Sequence, residues 1–74
     1  MTIGKAIRSA RESKGISRYK VAIKTGIGYQ AIVNWELDKT SPRIDLLICV
    51  ADVLGVTLDE LVGRSVPNAK QTNN

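Results

Sequence analysis

The chain has 74 residues, room for one small domain. Hydrophobic residues make up 43% and charged residues 24%, the balance of a soluble globular protein rather than a disordered one. Eleven Lys and Arg against seven Asp and Glu leave +4, with no His and one Cys, which excludes an internal disulfide, a His/Cys zinc set and catalysis by a His base.

Apolar periodicity predicts helix almost throughout. Thr2 caps a first helix with Ile3, Ala6, Ile7 and Ala10 on one face, and Gly15 ends it in a left-handed conformation. Ser17 caps a second helix carrying Val21 and Ala22, which stops at Gly26. A third begins near Gly28 or Tyr29, carries Ile32 and Trp35, and ends near Leu37. Asp38 follows, a residue that tolerates a left-handed backbone better than most. Ser41-Pro42 marks the start of a fourth helix, with Pro42 suited to its first position. That helix runs to Leu54 and is closed by Gly55. Thr57 and Glu60 form a capping box that opens a short fifth helix through Leu61 and Val62.

The expected fold is all-α, a compact five-helix domain over residues 1–64. The polar stretch 65–74 reads as a disordered tail. No apolar run approaches a membrane span, and the N-terminus lacks a signal-peptide core. A cytoplasmic location is the expectation.

The charge is uneven. Up to Arg43 there are nine basic residues against three acids, a balance of +6; from Ile44 onward two basic residues face four acids, leaving −2. A basic first half points to a polyanion partner.

Ser17 to Glu36 holds two short helices joined by the turn Thr25-Gly26-Ile27-Gly28, a helix-turn-helix pattern. Its second helix would enter a DNA major groove while the first crosses the backbone. The stretch Ile3 to Gly63 resembles the lambda-repressor and Cro-like (XRE-type) helix-turn-helix family. The resemblance is carried by IGKAIRSARESKGIS, VAIKTGI, IVNWE, SP and LLICVADVLGVTLDELVG. Three positions depart from the family pattern. Arg18 stands where Gln is usual, Gly28 where Ser or Thr caps the recognition helix, and Asp38 where Gly is usual.

Helical spacing puts Tyr29, Gln30, Val33 and Asn34 on one face of the third helix. Gln30 and Asn34 carry the paired donor and acceptor that read adenine, and Val33 and Tyr29 can meet a thymine methyl. The resemblance implies base contacts at the same positions. Ser17 and Arg18 sit at the second helix's N-terminus, where free N–H groups favour phosphate. The resemblance adds Lys39, Thr40 and Arg43 as a second phosphate clamp. It also implies a structural ion pair between Arg11 and Glu36. Trp35 reads as core.

The fourth helix shows two apolar stripes. Ile44, Leu47, Ile48, Ala51 and Leu54 are expected to face the core. Leu46, Cys49, Val50 and Val53 lie nearly opposite and are expected to form a homodimer interface, unless the fifth helix or the tail covers them.

The function expected is a sequence-specific, double-stranded DNA-binding transcriptional regulator. It would be a repressor that occupies a palindromic operator as a homodimer. The alternative is an antitoxin-type module that binds a protein partner and regulates its own operon. Neither catalysis, cofactor nor metal is expected. Bacterial or bacteriophage origin is implied by the resemblance.

Overall fold

The computed structural model describes residues 2–62, and among these every regular element is a helix. The order is α1 (Ile3–Lys14), α2 (Arg18–Thr25), α3 (Tyr29–Glu36), α4 (Ile44–Leu54) and α5 (Leu58–Val62). No described helix is long and apolar enough to cross a membrane. The expected boundary at residue 64 and the expected disordered tail over 65–74 lie outside the described residues.

Three of the five helix starts follow from side-chain capping of orphan backbone groups. The Thr2 hydroxyl accepts from the Lys5 N–H at 3.1 Å, and the Ser17 hydroxyl accepts from the Lys20 N–H at 3.0 Å. At α5 the box is reciprocal. Thr57 Oγ1 accepts from the Glu60 N–H at 3.1 Å, while Glu60 Oε1 accepts from the Thr57 N–H at 2.7 Å. Gly15 and Gly55 end α1 and α4 at φ 78° and 71°, a conformation that costs a side chain but not glycine.

The end of α3 uses Asp38 instead. Its φ is 60°. The Asp38 N–H donates to Trp35 O at 3.1 Å and the Lys39 N–H donates to Asn34 O at 2.9 Å. This is the double hydrogen bond of a Schellman motif, with an aspartate in the position glycine usually takes.

The start of α4 differs from the sequence expectation. Pro42 is not its first residue: the helix opens at Ile44 with Arg43 as the cap, which makes no side-chain cap hydrogen bond. The first helical bond runs from the Leu47 N–H to Arg43 O at 2.9 Å. The Arg43 backbone is extended, with ψ 158°, so the helix cannot begin before Ile44. Asp45 lies in the first turn, where negative charge is favoured, and its Oδ1 accepts from the Leu46 N–H at 3.0 Å.

The core lies where α1 packs on α3, α4 and α5, and α2 packs on α3 and α4. Ile7, Val21, Ile32, Val50 and Leu61 are its fully buried large side chains, each worth about 1.5–3 kcal/mol of burial. Trp35 is buried with them. The expected division of α4 into two stripes does not hold. Val50 is 0% exposed, whereas Ile44 and Ile48 are 58% and 45% exposed. Because α4 meets α1, α2 and α5, its buried arc draws on both stripes: Leu47, Val50, Ala51 and Leu54. Val50 is therefore core rather than interface. Leu46 is half-buried against that core, Val53 is half-buried, and Cys49 is exposed.

One close approach joins the start of α1 to the end of α3. Gly4 is buried, and a Cβ there would lie 2.0 Å from Trp35 O and 2.5 Å from Asp38 Oδ1. The first turn of α1 thus rests directly on the backbone that ends α3.

Candidate nucleic-acid interface

The turn between α2 and α3 is fixed by one threonine. Thr25 Oγ1 donates to Val21 O at 2.7 Å and accepts from the Ile27 N–H at 3.1 Å. Ile27 packs against the core. Gly26 supplies the left-handed step at φ 77°. Gly28 then caps α3 with extended backbone and no side-chain hydrogen bond, leaving the first N–H groups of α3 without a side-chain partner.

On α3, Ile32, Trp35 and Glu36 are buried. The opposite side carries Tyr29, 47% exposed, and exposed Gln30, with Val33 and Asn34 half-buried. At about 100° per residue these four fall within one arc of about 140°. The Gln30 Nε2 donates to Asn34 Oδ1 at 3.2 Å. The two amides therefore form one polar surface rather than two separate groups.

The flanks are basic. Ser17, Lys39, Thr40 and Arg43 are exposed, and Arg18 is half-buried. Lys39, Thr40 and Arg43 follow α3 in the loop to α4. Arg43 meets Asp45 at 3.3 Å, but both side chains are well exposed, so this pair holds Arg43 only weakly.

Behind α3, Glu36 organises the scaffold. Arg11 Nε donates to Glu36 Oε2 at 2.7 Å and Arg11 Nη2 donates to Oε1 at 3.1 Å. Arg11 Nη1 also donates to Ile16 O at 2.9 Å. One guanidinium thus ties α1, the connection to α2, and the last residue of α3. The fork geometry is the strong form of such a pair.

Arg18 is the unexpected member. Its Nε donates to Glu36 Oε1 at 2.9 Å, so two arginines share one carboxylate. From the sequence, Arg18 is expected on phosphate alone. Nothing in the sequence spacing links residues 18 and 36, which meet only once α2 and α3 cross. The hydrogen bond to Glu36 raises the Arg18 guanidinium above its ordinary value against some desolvation, and the Tyr29 phenol adds in the same direction. Arg18 therefore sits between the scaffold carboxylate and the first residue of the exposed arc. Arg18 and Tyr29, together with Arg8, Arg11, Ser17 and Tyr19, line an open polar pocket.

Burial pushes Glu36 towards protonation, but the hydrogen bonds from Arg11 and Arg18 outweigh it and hold the carboxyl below its ordinary value of 4.5. A carboxyl depressed by folding stabilises the native state above its unfolded pKa. That stability is lost as pH falls through the lower, folded value. Denaturation midpoints measured from neutral to strongly acidic pH should drop in that acid window. The Glu36→Gln variant should lack this component of the drop. An identical acid profile in the variant would show that Glu36 is not the linked group.

A helix-turn-helix family model matches residues 7–61. The chain is 30% identical over 70 residues to the HTH-type transcriptional regulator ImmR of Bacillus subtilis, covering 95% of this chain and 55% of that protein. It is 27% identical over 64 residues to the immunity repressor protein of Bacillus phage phi105, covering 86% of this chain and 44% of the repressor. The chain spans about half the length of these relatives. Among solved structures, the P22 c2 repressor in complex with a synthetic operator superposes with a TM-score of 0.81 at 25% identity, covering 88% of this chain and 98% of that one.

Proposed function

The chain belongs to the helix-turn-helix family, and from that we propose that it is a transcriptional regulator which binds double-stranded DNA with α3 in the major groove. The observation that carries this reading is the two-sided character of α3. One side is locked to the scaffold through Glu36, and the other offers Tyr29, Gln30, Val33 and Asn34 outward. A helix held rigidly from behind suits the reading of base edges, because contact geometry decides specificity. The solved operator complex of the P22 c2 repressor supports the same use of the fold.

Gln30 and Asn34 serve as the hydrogen-bonding readers, with Tyr29 and Val33 beside them. Ser17 and Arg18 meet phosphate on one flank. Lys39, Thr40 and Arg43 meet it on the other. Occupancy of a palindromic operator by a homodimer then represses transcription. The relative named an immunity repressor supports that sign of regulation. Of the α4 residues expected at the homodimer interface, Leu46, Cys49 and Val53 keep accessible surface. The work is binding, done in the cytoplasm where the DNA is.

Two substitutions separate base reading from backbone binding. Gln30→Ala should lose about 1–3 kcal/mol of discrimination at one base pair, measured by titrating a bound duplex and its single-base variants. Lys39→Ala should weaken every duplex alike and make the salt dependence shallower by about one unit. A uniform loss for Gln30→Ala, with no base pair singled out, would remove it from the reading surface.

A further inference from the structure

Asp38 is an odd residue for its position. It occupies the left-handed end of α3 at φ 60°, where glycine is free of strain. It also places a negative charge next to Lys39, which works against attraction to phosphate. A glycine would satisfy the turn and improve the charge. The carboxylate therefore has another use, and the structure shows it. Asp38 Oδ2 accepts from the Thr2 hydroxyl at 2.9 Å. That same hydroxyl accepts from the Lys5 N–H at 3.1 Å. The chain of bonds runs from the first turn of α1, through Thr2, to the residue that begins the loop to α4.

The surrounding packing leaves no slack. Gly4 brings α1 against the Trp35 carbonyl and the Asp38 carboxylate so closely that no Cβ fits. Negative charge at the N-terminal end of α1, a helix of 12 residues, is also favourable. From Asp38 the chain passes straight into Lys39, whose N–H is tied to Asn34 O at 2.9 Å. Among the described residues, the only side-chain hydrogen bond or ion pair from Lys39, Thr40 and Arg43 is that of Arg43 to Asp45 on α4, so none ties these three to α1 or α3.

We propose that Asp38 is the positioning residue of the Lys39–Arg43 phosphate clamp, acting through Thr2 and the first turn of α1. This rests on the DNA-binding reading above. Asp38 touches no DNA in this arrangement. It fixes the direction in which the loop leaves α3, so that both cations meet the same backbone. The N-terminal turn of α1 is thereby part of the DNA-binding apparatus, although it lies outside the helix-turn-helix unit.

The test compares Asp38→Asn with Asp38→Gly. Both variants have the same net charge, and both residues accept a left-handed backbone. They differ in whether an acceptor remains for the Thr2 hydroxyl. Binding of a mixed-sequence duplex is titrated over about 50–200 mM salt, because the clamp contacts phosphate and needs no particular sequence. The glycine variant should bind about fivefold more weakly than the asparagine variant, with a salt slope shallower by about one to two units. Thr2→Val breaks the same bond from the other side and should show the same shallower slope, while Thr2→Ser should restore it. Equal affinities and slopes for the asparagine and glycine variants, both folded by circular dichroism, would overturn the positioning role and leave DNA binding intact. Failure of the parent protein to bind the duplex at all would overturn the DNA-binding reading, and this proposal with it.

Discussion

Replacing Glu36 with alanine should cost about 3–5 kcal/mol of folding stability, because it leaves a buried arginine without its counter-charge. Arg11 is 9% exposed and the Glu36 side chain is 0% exposed. A domain of this size has about 5–15 kcal/mol in total at best, and its core is small. The loss should lower the melting temperature by at least about 12 °C, at about 4–8 °C per kcal/mol. The three members of the cluster should rank in a definite order. Arg11→Ala is second, since Glu36 then keeps only Arg18. Arg18→Ala is mildest, because its side chain is 30% exposed and the Arg11 fork remains. Thermal melts of the three variants check the order. A Glu36→Ala protein within about 1 kcal/mol of the parent would show that the buried pair is dispensable.

Gly4→Ala should also destabilise, against the direction that helix propensity gives. Alanine in place of a glycine inside a helix is worth about 1 kcal/mol. Here the added methyl would lie 2.0 Å from Trp35 O and 3.1 Å from Trp35 C. Those atoms are backbone and cannot rotate away. Relief requires α1 to move off the end of α3, and α1 also carries Ile7 and Arg11 into the core. Overpacking of this kind costs about 1–3 kcal/mol and sometimes more, so the sum is a net loss. Urea unfolding should show a lower midpoint for the variant. A raised midpoint would mean that the contact between α1 and α3 is looser than the structure has it.

Much of the architecture is local and could be read from the chain. Thr2, Ser17 and Thr57 are caps by chemistry, and Gly15, Gly26 and Gly55 end helices for a reason that needs no partner. The exposed arc of α3 follows from helical spacing alone. The face of α4 does not. A helical wheel displays two apolar arcs there, and the choice between them depends on three neighbouring helices. Val50 is buried because those neighbours take residues from both arcs. The start of α4 is misplaced by the chain itself because Ser41-Pro42 is a generic start signal, while the extended backbone at Arg43 is set by the folded loop. The long-range polar contacts carried no local signature. Arg18 and Glu36, and Thr2 and Asp38, meet only in the folded molecule. A departure from the family pattern was the one visible hint at both sites: Arg18 for glutamine, Asp38 for glycine.

The most direct measurement is selection of bound DNA from a random duplex pool at defined salt, followed by sequencing. A regulator that reads bases with α3 as a homodimer should enrich a two-fold symmetric consensus whose half-sites lie about one helical turn apart, about 10–10.5 base pairs. Enrichment of no sequence, with uniform and salt-sensitive binding, would contradict base reading by Tyr29, Gln30, Val33 and Asn34.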